Sequence, residues 1–180
     1  MKILISLLLL MSILSCNCKK NITDSAVSNS KNENKELLKT TICPENGACT
    51  TKLLKNKSLE VKTDEFGSIY YTLSDNQDQS VILFTYNRNV PKGLQDAHYR
   101  EEIVFEINNS DKSLALNNND LQKTKMLYGR FCFCRGQTGR VAIINGQLNL
   151  KKIDDKIDFN LTFKNNKFPQ LLSTISEIVQ

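Results

Sequence analysis

The sequence predicts a mainly β protein: an antiparallel β-sandwich or barrel with one C-terminal α-helix, preceded by a signal peptide and a flexible tether. Short apolar runs recur about every 10 residues between clusters of turn-forming residues, a spacing typical of antiparallel β folds. Two of these runs alternate apolar and polar residues, as strands with one buried face do. The length of 180 residues, of which 40% are hydrophobic, favours one folded domain with appendages, and we assign that domain to residues 43–180.

Residues 1–15, MKILISLLLLMSILS, have the pattern of a secretory signal peptide. Their apolar run is shorter than the roughly 20 residues that a membrane-spanning helix needs. The segment Ile13-Leu14-Ser15-Cys16 resembles the lipobox of bacterial lipoproteins. The resemblance implies cleavage before Cys16 and attachment of acyl chains such as palmitate to that residue. We therefore expect an exported lipoprotein of the cell envelope, held in the outer membrane and facing the periplasm. An ordinary secretion signal followed by an unrelated cysteine is the alternative.

Residues 16–42 form the predicted tether. They are rich in Ser, Asn and Lys and nearly free of large apolar groups, so they cannot bury enough surface to offset the entropy lost on ordering. The formal net charge of the chain is +5, but the charges of the domain are close to balanced. We expect no nucleic-acid partner, because such domains carry a concentrated basic patch. The expected partners are the membrane, through the lipid, and an envelope protein or a small anionic ligand.

The strands are predicted from apolar runs and from their alternation. Residues 80–86, SVILFTY, form a continuous apolar run that suits a strand buried on both faces. Residues 101–107 alternate, which places Glu101 and Glu102 on opposite faces of one strand. Residues 157–163 alternate more strictly, and a turn at residues 154–156 joins them to the preceding strand. The other predicted strands are 48–54, 58–63, 68–74, 113–116, 126–134 and 140–146.

The C-terminal residues 169–179 are predicted to form an amphipathic helix. Pro169 fits the first helical turn, where its missing N–H costs nothing. The apolar residues of this segment recur at helical spacing, so we expect their stripe to cover an open face or end of the sheet. A helix that binds a partner or lies on a membrane is the alternative. The apolar stripe consists of Phe168, Leu171, Leu172, Ile175, Ile178 and Val179.

Four cysteines of the domain are predicted to form disulfides, because an exported protein with an even set of cysteines usually oxidises them. They are Cys43, Cys49, Cys132 and Cys134. We favour bonds from the first two to the last two, which would close a long loop and stabilise the fold by about 4 kcal/mol in the chain-entropy model. The local pairs Cys43–Cys49 and Cys132–Cys134 remain the alternative, because sequence alone does not separate the connectivities.

The same cysteines allow two functional interpretations. Cys132 and Cys134 can cycle between dithiol and disulfide, and Arg130 and Arg135 flank them where a cation would stabilise a thiolate. Zinc is disfavoured, because the spacings are poor for a zinc knuckle and an oxidising compartment competes for the thiols. We therefore predict neither a metal site nor a cofactor.

The loop from Arg135 to Arg140 is the candidate binding site. Gly136 and Gly139 permit a tight hairpin, whose N–H groups and flanking Arg135 and Arg140 can hold a carboxylate or phosphate. A simple hairpin turn explains the same residues. His98, the single histidine, is interpreted as a loop residue before a strand, and no catalytic residue is assigned.

These features favour a non-catalytic binding or structural module attached to the envelope by lipid. Two other classes remain open. One is an enzyme, either a thiol-redox protein using Cys132 and Cys134 or a hydrolase using His98. The other is a carrier that holds a small apolar ligand inside a β-barrel. Reactive thiols would favour the enzyme, and a large internal cavity would favour the carrier.

Overall fold

A computed structural model describes residues 41–94 and 96–180. The predicted signal peptide of residues 1–15, the predicted lipidation site Cys16 and the predicted tether up to residue 40 lie outside the described residues. Within the described part, no helix is both long and apolar enough to cross a membrane.

Nine strands and one short 3₁₀ helix, Asn118–Thr124, make up the described domain. Two antiparallel sheets form a sandwich-like arrangement: sheet A has the order β1-β2-β3-β5-β6, and sheet B has the order β4-β7-β8-β9. The strands are β1 (Gly47–Thr63), β2 (Ile69–Arg88), β3 (Tyr99–Asn108), β4 (Ser113–Asn117), β5 (Leu127–Cys132), β6 (Gly139–Ala142), β7 (Gly146–Ile153), β8 (Lys156–Phe163) and β9 (Thr174–Val179). The predicted antiparallel sandwich is thus confirmed at the level of its two sheets.

The main core lies between the two sheets. The alternation predicted for residues 157–163 is confirmed, since Phe159 and Leu161 of β8 are buried in this core. The ring of Phe159 meets that of Phe105 from β3 edge to face, with the ring centres 5.6 Å apart. The predicted hairpin is also confirmed, because β7 ends at Ile153 and β8 begins at Lys156.

Four of the predicted strands merge into two long ones. Residues 48–54 and 58–63 belong to β1, and residues 68–74 and 80–86 belong to β2. A bulge at Asn56, whose φ is 58°, interrupts the pairing of β1 with β2 between Lys55 and Lys57. The polar residues at these interruptions resemble turns in the sequence, although the strands continue through them.

The distal half of the β1–β2 hairpin, residues 57–75, covers part of the outer face of sheet A; we call it the arm. Its Leu59 is fully buried in a second apolar cluster with Val81, Val104 and Leu127 of sheet A. This cluster explains why residues 80–86 form a continuous apolar run: Val81 contacts the cluster under the arm, whereas its neighbour Ile82 contacts the main core.

The predicted C-terminal helix at residues 169–179 is wrong: Thr174–Val179 form β9, which pairs with β8. Ile175 and Val179 face the core opposite Leu161 and Ile157, two strand repeats apart. The period of two is hard to see in the sequence because Glu177 occupies the core-facing position between them. β-branched residues favour the strand, and the edge of β8 supplies its hydrogen-bond partners.

Candidate functional site

Arginine is scarce in this chain and is gathered in one place. The sequence contains 5 Arg, and all of them lie at one end of sheet A or in the loop between its strands β5 and β6. Arg88 ends β2 and Arg100 lies near the start of β3, where their strands are neighbours. The remaining three are Arg130 in β5, Arg135 in the β5–β6 loop and Arg140 in β6.

A cleft of about 530 Å³ opens at this end of sheet A. Arg88, His98, Arg100 and Asp96 supply its charged and polar lining, together with Asn87. The aromatic part of the lining consists of Tyr99, Phe131 and Phe133. We call this the arginine cleft. A smaller cavity of about 260 Å³ adjoins it, sharing Arg88 and His98 and reaching both Cys132 and Cys134.

A buried polar network supports the floor of the cleft. Tyr99 donates a short hydrogen bond to Glu101, and Nε of Arg130 donates to the Tyr99 oxygen over 3.4 Å. Burial, and secondarily the hydrogen bond to Glu101, raises the pKa of Tyr99 to about 12, so its hydroxyl stays protonated at neutral pH. Glu101 also accepts the backbone N–H groups of Leu171 at 2.7 Å and Leu172 at 2.9 Å. The network therefore connects the cleft to the C-terminal segment.

On the outer face of sheet A, one carboxylate forms ion pairs with two arginines. Glu102 lies 3.2 Å from Nη2 of Arg140 and 3.7 Å from Nη2 of Arg100. Both guanidinium groups also lie against the Phe131 ring, at 4.3 Å for Arg100 and 4.8 Å for Arg140. Gly129 makes room for that ring, since an added Cβ would lie 2.7 Å from a Phe131 ring carbon. The predicted separation of Glu101 and Glu102 onto opposite faces is confirmed.

The predicted binding loop is a hairpin connection between β5 and β6. Gly136 and Gly139 both have positive φ, 71° and 125°, which explains the need for glycine in the turn. Arg140 is held by Glu102, as described above, whereas Arg135 is exposed on the loop. The loop is further fixed from below, because Arg130 donates to the backbone oxygen of Gln137 over 2.8 Å. Of the two predicted arginines, only Arg135 is without a carboxylate partner in the described residues.

Arg88 and Arg100 were not predicted from the sequence as binding residues. They are separated by the β2–β3 loop and become neighbours only through the pairing of the two strands. The scarcity of arginine was the signal available in the sequence. Most positive charges of this chain are Lys, so each Arg marks a position where a planar group with several donors is a candidate for binding. His98 lies immediately before β3, as predicted, and is exposed at the cleft.

The favoured cross-linking disulfides are wrong, and the local pairs are present. Cys43 bonds Cys49 with Cα atoms 5.8 Å apart, and Cys132 bonds Cys134 with Cα atoms 5.1 Å apart. Sheet topology gives the reason, since β2 and β3 separate the strands that carry Cys49 and Cys132. Three strand spacings place these two cysteines on the order of 14 Å apart, about twice the reach of a disulfide.

Within residues 41–94 and 96–180, no cluster of His, Cys, Asp and Glu has the arrangement of a metal site. Comparisons with protein-family models, with curated proteins and with solved structures found no match to this chain.

Proposed function

We propose that this protein is an exported, lipid-anchored binding module of the cell envelope whose arginine cleft takes an anionic ligand. The ligand class is a carboxylate or phosphate carried on a partly apolar or flat body. The main support is that Arg88 and Arg100 both line one open cleft together with aromatic rings. Planar guanidinium groups bind such anions through paired hydrogen bonds.

The charges of the cleft support an anion rather than a cation. None of the ion pairs formed by the described residues involves Arg88. Arg100 shares its one carboxylate with Arg140, and its buried Nε–H has no hydrogen-bond partner in the described part of the chain. Asp96 is the only carboxylate among the described residues that line the cleft. A bound anion would supply the acceptors that these donors lack.

The aromatic lining favours a ligand with an apolar part. Phe133 is 84% exposed although it is a large apolar side chain, and it lies beside Phe131 in the lining of the cleft. Exposed aromatic side chains next to arginines are common anchors at binding sites. The space between the two sheets is filled by buried side chains of both sheets, so nothing in the described residues favours the alternative of an apolar-ligand carrier.

The proposed lipid anchor is supported by the lipobox-like segment ending at Cys16. Replacing Cys16 with Ala should release the protein from the membrane fraction, because the acyl chains would no longer be attached. Cell fractionation with immunoblotting measures this, and Cys18→Ala is the matched control two residues away. A Cys16→Ala protein that still sediments with membranes would overturn the lipoprotein assignment.

The cleft is tested by titrating the full chain with inorganic phosphate and with citrate while recording amide NMR spectra. We expect the largest shifts at the end of β2, the start of β3 and the end of β5, with saturation that weakens as salt is added. Shifts confined to the β5–β6 loop would move the site to Arg135. Shifts spread over exposed lysines without saturation would show that there is no specific anion site.

A further inference from the structure

We infer that Cys132–Cys134 is a redox-active disulfide that exchanges electrons with a dithiol of another exported protein. This activity is additional to anion binding and does not depend on it. Cys132 is the last residue of β5, and the bond to Cys134 closes a ring across a single residue, Phe133. Cross-linking residues so close in sequence removes little entropy from the unfolded chain, so the bond contributes little as a structural staple.

The site is also accessible to a partner. Phe133, at the apex of the ring, is 84% exposed, and both sulfur-bearing residues line the smaller cavity that adjoins the arginine cleft. Cys132 and Cys134 are half-buried, and disulfides that solvent and partners can reach are reduced more easily than buried ones. An exposed aromatic side chain between the two cysteines gives a partner protein an apolar contact at the reacting bond.

The second disulfide of the chain supplies an internal comparison. Cys43–Cys49 spans 6 residues and encloses a turn that β2 holds in place. Within that turn, the backbone oxygen of Glu45 accepts from the Tyr86 hydroxyl at 3.3 Å, and the backbone oxygen of Asn46 accepts from the N–H of Asn89 at 2.7 Å. Both of these cysteines pack against the main core, whereas in the other pair only Cys132 does. The local structure therefore keeps the two sulfurs together after reduction, which favours re-formation of this bond.

A cation lies in the cavity of the proposed redox pair. Arg88 lines the same cavity as Cys132 and Cys134, together with the imidazole of His98 and the carboxylate of Asp96. A neighbouring cation stabilises a thiolate relative to a thiol, and the thiolate is the species that attacks a disulfide. The cavity thus favours the dithiol form as a nucleophile, while the short ring favours opening of the disulfide form.

The exchange step balances with a dithiol partner. A partner thiolate attacks Sγ of Cys134, which forms a mixed disulfide and releases Cys132 as a thiolate. The second partner thiol, after losing its proton, attacks the partner sulfur of the mixed disulfide and releases Cys134. Two electrons and two protons pass from the partner dithiol to this pair, and the partner leaves as a disulfide. The reverse sequence oxidises a dithiol-dependent partner.

The test is equilibration of the full chain with graded ratios of reduced and oxidised dithiothreitol, followed by differential alkylation resolved peptide by peptide. We expect the equilibrium constant for reduction of Cys132–Cys134 to exceed that of Cys43–Cys49 by at least about 10-fold, which corresponds to about 30 mV for a two-electron couple. Equal constants, or a Cys132–Cys134 bond that is the harder to reduce, would overturn the inference.

A kinetic readout separates redox activity from simple fragility. In the reduced protein, Arg88→Gln should slow alkylation of Cys134 by iodoacetamide several-fold at neutral pH, because less thiolate is present. Lys92→Gln is the matched control, since Lys92 is an exposed cation of the same loop that lines neither cavity. Alkylation rates that are the same in all three proteins would show that the cavity does not activate the thiols.

Discussion

The arm is predicted to be held on sheet A mainly by the side chain of Glu106. This carboxylate is nearly buried and accepts three hydrogen bonds: from the Leu59 N–H at 2.8 Å, from the Ser58 hydroxyl at 3.0 Å and from the Lys125 ammonium at 2.8 Å. Lys125 also donates to the backbone oxygen of Leu59 over 2.8 Å. Glu106 and Lys125 therefore satisfy the backbone N–H and the backbone oxygen of Leu59, whose side chain is at the centre of the arm's apolar contact.

The substitution Glu106→Ala should lower the free energy of unfolding by about 1–4 kcal/mol. Leaving the buried Leu59 N–H without an acceptor costs about 1–3 kcal/mol. Losing the pair with Lys125, whose side chain is 42% exposed, adds at most about 1 kcal/mol because water screens that charge. Glu106→Gln keeps an oxygen that can accept from Leu59, so it should cost only about 1 kcal/mol.

Equilibrium denaturation in urea, followed by circular dichroism, measures these differences if the slope with denaturant is unchanged. Glu60→Ala is the matched control, because Glu60 is an exposed carboxylate on the same arm, and its midpoint should equal that of the unmodified chain. Equal losses for Glu106→Ala and Glu106→Gln, or no loss in either, would refute the role given to the carboxylate as an acceptor for the arm.

Two further predictions concern the C-terminal strand and the cleft network. Ile175→Ala should lower the free energy of unfolding by about 2–5 kcal/mol, because Ile175 is fully buried. Ile178→Ala should lower it by less than about 1 kcal/mol, because Ile178 is 43% exposed. Similar losses in the two variants, measured by denaturation, would favour a helix over β9. The folded-state pKa of Tyr99 is raised from 10.0 to about 12, so its contribution to stability should be complete below pH 10 and fall as pH rises from 10 to 12. Denaturation at graded pH should show that the free energy of unfolding falls less over this range in Tyr99→Phe than in the unmodified chain. Equal decreases would contradict the raised pKa of Tyr99.

Much of the fold could be predicted from local patterns in the sequence. The β7–β8 hairpin was predictable because strict alternation runs up to a turn of two aspartates, and no distant residue is needed to interpret it. The C-terminal strand was not, because Glu177 interrupts the period of two and the remaining apolar residues also fit a helix. The edge of β8, which decides between these structures, lies outside the segment itself.

The candidate site depends even more on contacts that are distant in sequence. Arg88 and Arg100 line the same cleft only because β2 and β3 pair in one particular register. The same topology excludes the long-range disulfides, since two strands separate Cys49 from Cys132. A local signal was sufficient for the β5–β6 loop. Its two glycines predicted a tight turn, and both have the positive φ that such a turn requires. The position of the loop was therefore predictable, whereas the partner of Arg140 was not.

Isothermal titration calorimetry with citrate, on the full chain and on the double variant Arg88→Gln/Arg100→Gln, measures whether the arginine cleft is the anion site. Removing two charged donors from one cleft should weaken binding by at least about 10-fold, since a hydrogen bond to a charged group contributes about 1.5–3 kcal/mol. The double variant Lys92→Gln/Lys112→Gln removes the same net charge from outside the cleft and should bind citrate as the unmodified chain does. Equal affinities for all three proteins would contradict the assignment of the arginine cleft as the anion site.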